Sequence, residues 1–331
     1  MATAASPPEV ARPVREIVPI PFGARPGAED TPYNASEVVA VADSRFAFCD
    51  NNIGDALYEL RLRPDGGMDS PLVRWPLEGP AAGSVDDLET MSLVDTGRQR
   101  FIFAMPSLSL KSRKKPHTKK KSHRGKECPA RCGLLRISIS PDRRLQAELI
   151  PTFRSWLVER VPELGKAPRY VPDDGGLNIE GMAWDPDQQA ILLGVRTPVL
   201  AGRPLILRVR VRDVEGPWTL GNLEMLPPVT LAVEDSGGEQ GVRGMEYDPV
   251  RGAVLLLTGR STGESKALFS LYSWDRNPGG VLRRFPNVHF ARGMKPEGVV
   301  HGTIGGRPGL VFIDDGGGYQ VVWDDDSRLQ Q

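Results

Sequence analysis

The sequence predicts an all-β fold, a β-propeller with four-stranded antiparallel blades. Three observations lead to this prediction. A motif around a glutamate recurs along the chain, short apolar runs follow each copy, and turn-forming residues are abundant, with 36 Gly and 30 Pro among 331 residues. Short strands in radially repeated units are typical of propellers. Abundant turns also fit an all-β fold better than a helical bundle.

The repeated motif is clearest in residues 178–186 and 241–249, which read NIEGMAWDP and GVRGMEYDP. Weaker copies begin near residues 36, 87 and 296. Alignment of the five copies places these residues at one equivalent position: Glu37, Glu89, Glu180, Arg243 and Glu297. Their spacings are 52, 91, 63 and 54 residues. Five blades are therefore readable, and a sixth stays open because the 91-residue gap has room for one.

Strands follow each copy of the motif in a regular order. An apolar run such as 190–195 predicts a buried second strand, and an alternating run such as 205–211 predicts a third. A fourth, outer strand is expected after each. The last unit supplies only three strands, so we predict that residues 14–22 add the fourth. This strand would close the ring and remove an open sheet edge.

The remaining segments lie outside the repeats. Residues 1–13 are rich in Ala and Pro and predict a flexible N-terminal tail, which leaves 14–331 as a single propeller domain. Residues 153–164 have helical spacing and are expected to pack on the outside, with Pro162 ending the helix.

Residues 111–126 contain nine Lys or Arg and no acid, and they predict a disordered basic loop between two strands. A weaker alternative is that this loop binds the phosphates of a polyanion with strong salt dependence. Base stacking is not expected because the loop has no aromatic residue. The lysines that would carry polyanion binding are Lys114, Lys115, Lys119, Lys120 and Lys121.

The overall composition argues against several partners. The formal net charge is zero, with 42 basic and 42 acidic residues, so no global field attracts nucleic acid or an anionic membrane. The sequence has no apolar run of about 18 residues, the length of a membrane-spanning helix. Its three cysteines do not suggest a disulfide framework. We therefore expect a cytoplasmic protein without membrane or nucleic-acid partners.

The strand order predicts where polar side chains meet. The second strand of each blade runs antiparallel to the first and ends beside the position where the motif begins. Polar residues at these ends should therefore share one mouth of the central channel with the motif residues. They are Asp50, Asn51, Ser107, Arg196, Arg260, Asp314 and Asp315, and Lys295 lies just before the last motif.

Two functional interpretations of this channel mouth are open. The carboxylates could hold Ca²⁺ or Mg²⁺, with Asp314 and Asp315 as the preferred metal ligands, and the arginines could clamp a phosphate or carboxylate. The protein would then be a metal-dependent hydrolase of phosphate or carboxylic esters. Alternatively, the glutamates accept backbone N–H groups or pair with arginines. The protein is then a scaffold that binds a protein or a small anionic ligand.

The scaffold is favoured because the sequence shows no combination of nucleophile and base.

A family resemblance is carried by residues 177–186, together with 191–198, 295–299 and 314–316. These segments resemble the DUF3616 family, bacterial proteins of unknown function. That family is similar to phytase-like and esterase-like propellers, so the resemblance implies the fold but no activity.

The chain departs from the family pattern at three positions. They are Thr90 in place of Gly, Arg243 in place of Glu, and Leu108 where a Ser-His-Ser pattern is expected. The first two alter the repeated motif itself, and Arg243 would weaken a metal site made of carboxylates. The third removes a candidate catalytic histidine. These departures weaken the expectation of hydrolysis.

Overall fold

The computed structural model describes residues 16–25, 31–112 and 125–329. Its strands are numbered β1 to β20 along the chain, and β1 (Ile20–Pro21) joins the last blade. The N-terminal tail predicted at 1–13, and the central part of the basic loop with its five candidate lysines, lie outside the described residues. On either side of this part of the loop, Lys111 and Lys126 pair through their backbones.

Five four-stranded antiparallel units follow one another along the chain. Blade 1 contains β2 (Ala35–Ala42), β3 (Arg45–Asp50), β4 (Ala56–Arg61) and β5 (Val73–Glu78). Blade 2 contains β6 (Leu88–Asp95), β7 (Arg100–Pro106), β8 (Leu134–Ile139) and β9 (Leu145–Ile150). Blade 3 contains β10 (Asn178–Asp185), β11 (Ala190–Leu200), β12 (Arg203–Val211) and β13 (Leu223–Thr230).

The last two blades complete the ring. Blade 4 contains β14 (Gln240–Asp248), β15 (Ala253–Arg260), β16 (Ser270–Trp274) and β17 (Leu282–Arg284). Blade 5 contains β18 (Pro296–Ile304), β19 (Arg307–Asp314) and β20 (Gly318–Trp323), and its outer strand is β1, which pairs antiparallel with β20. The predicted closure by an N-terminal strand is therefore confirmed.

The inner strands form a closed ring around the channel. Each of β2, β6, β10, β14 and β18 contacts the next, and β18 returns to β2. The outer strands of blades 1 and 2 also meet through a short parallel pairing between Leu77 and Leu145. The fold is thus the predicted all-β propeller, with five blades in the described part of the chain.

In the described residues of the 91-residue gap, two insertions stand in place of a sixth blade. One is the basic segment between β7 and β8. The other contains helix α1 (Phe153–Arg160), which links blades 2 and 3. Phe153, Trp156 and Leu157 are buried in a core cluster shared by these two blades, because the helix fills the space between them. Within the described ranges, no helix has the length and apolar character needed to cross a bilayer.

Candidate functional site

A cavity of about 720 Å³ lies at the mouth of the channel where the inner strands begin. The structure brings most of the predicted channel-mouth residues to its surface: Asn51, Glu89, Glu180, Arg196, Arg243, Arg260, Lys295, Glu297 and Asp315. The inner strands form its floor. Its walls come from the β15–β16 connection and from the segment between β17 and β18.

The floor is a network of paired charges. Arg243, from blade 4, lies 3.1 Å from Glu180 of blade 3 and also donates a hydrogen bond to Glu297 of blade 5. Arg196 donates to the other oxygen of Glu180 at 2.6 Å. Asn178 donates to that same oxygen at 2.7 Å. Each charge in this network therefore has a partner of opposite sign.

The network explains why the fourth motif carries an arginine. Arg243, Glu180 and Glu297 are all buried, and buried charges are costly unless they are paired. A glutamate at position 243 would place three carboxylates side by side without a shared cation. Arg243, where the repeat otherwise has Glu, thus supplies the positive charge that pairs with Glu180 of blade 3 and Glu297 of blade 5.

Glu89 has a different environment on the same floor. Burial raises the pKa of Glu89 well above its usual value, and the nearby carboxylates Glu180 and Asp87 raise it further. A hydrogen bond from Ser36 acts in the opposite direction. Glu89 therefore favours the protonated, neutral form more than an exposed glutamate does, which leaves the cavity less negative.

Glu37 points into the channel and does not line the cavity. It is fully buried, and its carboxyl oxygens accept the backbone N–H groups of Val38 and Met245, each at 3.2 Å. Burial, followed by repulsion from Glu246, raises its pKa well above the usual value. The bond from Met245 links blade 1 to blade 4 across the ring, rather than to the neighbouring blade that the structural interpretation of the repeated glutamates names.

Glu246 was not singled out from the sequence, although it lies in the channel interior beside Glu37. Burial raises its pKa well above the usual value, while hydrogen bonds to Ser92 and Leu93 act against that shift. The motif alignment contains a signal that could have identified it, because the fourth copy has Glu246 where the third copy has Ala183. An acidic side chain at an inward position of an inner strand indicates a buried carboxyl.

The remaining predicted residues have local structural partners. Asp50 is buried, pairs with Arg25 and accepts the N–H groups of Asn34 and Asn52. Ser107 donates to Asp87. Neither Asp50 nor Ser107 belongs to the lining of the cavity.

Asp314 and Asp315 do not have the surroundings of a divalent-metal site. Asp314 accepts the backbone N–H groups of Lys295 at 2.5 Å and Gly316 at 3.0 Å, and Asp315 pairs with Lys295 at 2.9 Å. Ca²⁺ requires six to eight oxygen ligands. Across the described residues, no group of three or more His, Cys, Asp or Glu side chains is arranged to hold a metal. The residues present therefore do not fit Ca²⁺ or Mg²⁺.

The walls carry arginines of a different kind. Arg260 and Arg292 are exposed at the cavity, and neither forms an ion pair with any residue that the structure describes. By contrast, Arg284 pairs with Glu234 at 2.9 Å and Lys295 pairs with Asp315. Arg292 was missed from the sequence, although it lies three residues before Lys295 in a short basic stretch ahead of the fifth motif.

Apolar side chains cover another part of the walls. They are Ala267, Leu268, Phe269, Phe290 and Met294. Leu268 is 68% exposed, while Met294 is buried in the core of blades 4 and 5. All five lie in connections between strands, outside the repeated motif.

Hydrogen bonds hold both walls in place. In the first wall, Leu268 N donates to Ser236 O at 3.0 Å, and Arg196 Nε donates to the carbonyl oxygen of Ser261 at 3.1 Å. In the second wall, Ala291 N donates to Ile17 O at 2.9 Å, and Ile17 N donates to His289 O at 2.7 Å. These bonds tie both walls to other segments of the fold.

Residues 157–276 match the model of DUF3616, a protein family of unknown function, so the predicted family is confirmed over this segment. No curated protein gives a significant sequence match.

Several solved propellers and enzymes resemble the structure at low similarity. The periplasmic gluconolactonase PpgL of Pseudomonas aeruginosa is 16% identical, with 92% of this chain and 84% of that chain covered and a TM-score of 0.38. A putative glucose dehydrogenase of Thermus thermophilus is 12% identical, with 92% and 98% covered and a TM-score of 0.39. The WD40 propeller domain of Doa1 is 10% identical, with 90% and 95% covered and a TM-score of 0.34. At these scores the resemblances support no functional conclusion.

Proposed function

We propose that this propeller, which matches a family of unknown function, binds a small anionic ligand at one mouth of its central channel. The observation that carries the proposal is the pair Arg260 and Arg292. Both are exposed at the cavity, and both lack an ion-pair partner among the residues described. Guanidinium groups present a fork of donors that matches a carboxylate or phosphate, so these two side chains are suited to hold such a group.

The ion pairs of the floor support this proposal, because they leave Arg260 and Arg292 as the unpaired arginines of the cavity among the residues described. Glu180 and Glu297 are already paired with Arg243 and Arg196. They therefore offer little attraction for a ligand cation. Glu89 is a further acidic group on the floor, and its raised pKa favours its neutral form.

The balance of charged residues in the cavity lining also favours an anionic ligand. Among the residues described, six Lys or Arg line the cavity: Arg196, Arg243, Arg260, Arg284, Arg292 and Lys295. Five Asp or Glu residues of the same described ranges line it: Glu16, Glu89, Glu180, Glu297 and Asp315. The described lining therefore has one more basic than acidic residue, and the raised pKa of Glu89 acts in the same direction. A cavity with low-dielectric walls strengthens this preference for an anion relative to an open surface.

The alternative, a metal-dependent phosphoesterase or esterase, has less support. Its preferred ligands, Asp314 and Asp315, already contact backbone N–H groups and Lys295. A test is turnover of p-nitrophenyl phosphate and p-nitrophenyl acetate with EDTA or with added Mg²⁺ or Ca²⁺. Activity that requires one of these ions and disappears in Asp315→Asn would favour the hydrolase over the scaffold.

Anion binding is tested by thermal unfolding with a panel of phosphate monoesters and mono- and dicarboxylates. A compound that binds only the folded state raises the unfolding midpoint, by about 2.7 kcal/mol of added stability at a concentration of 100 times its Kd. We expect at least one such compound for the wild type. The double variant Arg260→Ala/Arg292→Ala should lose the shift but keep the midpoint measured without ligand, because neither side chain is buried.

Arg98→Ala is the matched control. Arg98 is an exposed arginine in the β6–β7 turn, at the opposite face of the ring, and it forms no ion pair with a described residue. This variant should respond to ligands as the wild type does. An unchanged shift in the double variant, or no shift with any anion in the panel, would contradict anion binding at this cavity.

A further inference from the structure

The cavity combines two surfaces that one ligand could contact together. We infer that its ligand is an amphipathic anion, a carboxylate or phosphate group attached to an aliphatic or aromatic body. This inference rests on the proposed function, because it assigns the charged group of the ligand to Arg260 and Arg292. It adds the apolar wall formed by Leu268, Phe269 and Phe290.

Leu268 is the clearest sign of an apolar subsite. It is 68% exposed, yet it lies inside a cavity beside Phe269 and Ala267. Single exposed apolar residues are common on protein surfaces. A large exposed leucine that continues a concave apolar wall is different, because an apolar ligand group placed there would remove both surfaces from water.

The rest of the apolar wall is fixed by packing. The ring centroids of Phe269 and Phe290 lie 6.4 Å apart in an edge-to-face arrangement, and Phe290 packs in the same manner on Phe312 at 5.5 Å. Phe312 belongs to the core of blade 5. Because the rings are already ordered, binding an apolar group against them requires little loss of side-chain freedom.

The charged and apolar groups alternate on the same two segments. Arg260 and Leu268 lie at opposite ends of the β15–β16 connection, and Arg292 lies between Phe290 and Met294 in the segment before β18. A ligand whose anionic group contacts the arginines therefore has apolar surface within its reach. The cavity volume of about 720 Å³ falls in the range of about 300–1,000 Å³ that is usual for small-molecule sites.

A purely hydrophilic anion fits this cavity less well. Inorganic phosphate or a short dicarboxylate would satisfy the arginines but leave Leu268 and Phe269 in contact with water or with polar groups. Phe269 also faces the guanidinium of Arg243, 5.9 Å from the ring centroid, so the apolar wall directly adjoins the charged floor. A ligand with one charged end and one apolar end matches both regions.

The test is isothermal titration of the full-length protein with acetate, butyrate, hexanoate and octanoate. For the wild type we expect Kd to decrease about fourfold for each CH₂ that enters the apolar subsite. Leu268→Asn removes apolar surface at similar size, so the dependence on chain length should become shallower. Val250→Asn is the matched control, because Val250 is 71% exposed in the β14–β15 turn at the opposite face, and it should keep the wild-type dependence.

The outcomes separate this inference from the proposed function. If the four carboxylates bind with equal Kd and binding still requires Arg260 and Arg292, anion binding stands and the apolar subsite is refuted. If octanoate binds as tightly to Leu268→Asn as to the wild type, the subsite is likewise refuted. If neither these carboxylates nor the phosphate esters bind, the proposed function fails as well.

Discussion

The cavity contains two pairs of arginines with opposite surroundings. Arg196 and Arg243 on the floor extend from the strands of the repeat and contact glutamates of neighbouring blades. Arg260 and Arg292 on the walls lie at or beyond strand ends and have no ion-pair partner within the described ranges. The floor arginines therefore hold neighbouring blades together, whereas Arg260 and Arg292 have no such role and can meet a ligand.

This comparison predicts opposite effects of removing an arginine. Replacing Arg243 by Met leaves Glu180 and Glu297 buried without their shared cation. Breaking a buried pair in this way costs about 3–5 kcal/mol. We therefore expect Arg243→Met to lower the free energy of unfolding by about that amount in urea titrations at pH 7, the largest effect considered for the floor.

An exposed ion pair supplies the control for Arg243→Met. Arg307 and Asp325 pair at 2.7 Å, but both side chains are about half exposed or more. Exposed pairs contribute about 0–1 kcal/mol, so Arg307→Ala should have little effect. If Arg243→Met and Arg307→Ala destabilise the protein equally, the floor network is not what joins blades 3, 4 and 5.

The glycine that follows Arg243 gives a second test of the floor. A Cβ at Gly244 would lie 2.5 Å from the carbonyl oxygen of Glu297 and 3.1 Å from the Cα of Gly298. Both are backbone atoms that can move only if the inner strands separate. Overpacking of this kind costs about 1–3 kcal/mol, so we expect Gly244→Ala to lower the melting temperature.

Gly221→Ala serves as its control, because the nearest atom to an added Cβ there is the Thr219 hydroxyl oxygen at 3.7 Å. This substitution should change the free energy of unfolding by less than about 0.5 kcal/mol. Equal effects of the two substitutions would mean that the close approach of β14 and β18 does not constrain position 244.

The sequence predicted the fold because its signals are local and repeated. The alternation and apolar runs identify strands without knowledge of their partners, and the equivalent positions of Glu180 and Glu297 place both at one mouth. The same spacing left the 91-residue gap ambiguous. An insertion such as helix α1 and an additional blade occupy similar lengths of sequence.

The details of the site depend on distances across the ring, which a repeat does not encode. Glu37 and Glu180 occupy equivalent positions in the motif. Glu37 nevertheless accepts hydrogen bonds from backbone N–H groups, whereas Glu180 forms ion pairs with two arginines. The walls were harder still to predict. Arg292 lies in a connection that no periodicity marks, and Leu268 lies just before β16, where a hydrogen bond to the distant Ser236 sets the path of the chain.

The two buried carboxyls of the channel interior predict a weaker, pH-dependent effect. The pKa values of Glu37 and Glu246 are raised in the folded protein, whereas an unfolded glutamate has a pKa near 4.3. The stability contributed by each group is therefore fully present below about pH 4.3 and is lost as pH rises through its folded pKa. For each group that stays protonated only in the folded state, the loss is about 1.4 kcal/mol per pH unit.

Glu246→Gln tests this effect with little disturbance of packing. The Oε2 atom of Glu246 has no hydrogen-bond partner among the residues described, so replacing it by an amide nitrogen breaks no hydrogen bond at that atom. Urea unfolding from pH 5 to pH 8 should show a shallower decline of stability with pH for this variant than for the wild type, because the variant lacks the carboxyl whose raised pKa causes part of the decline. The exposed substitution Glu163→Gln should keep the wild-type slope. Identical slopes for all three proteins would mean that Glu246 ionises in the folded channel as readily as in the unfolded chain.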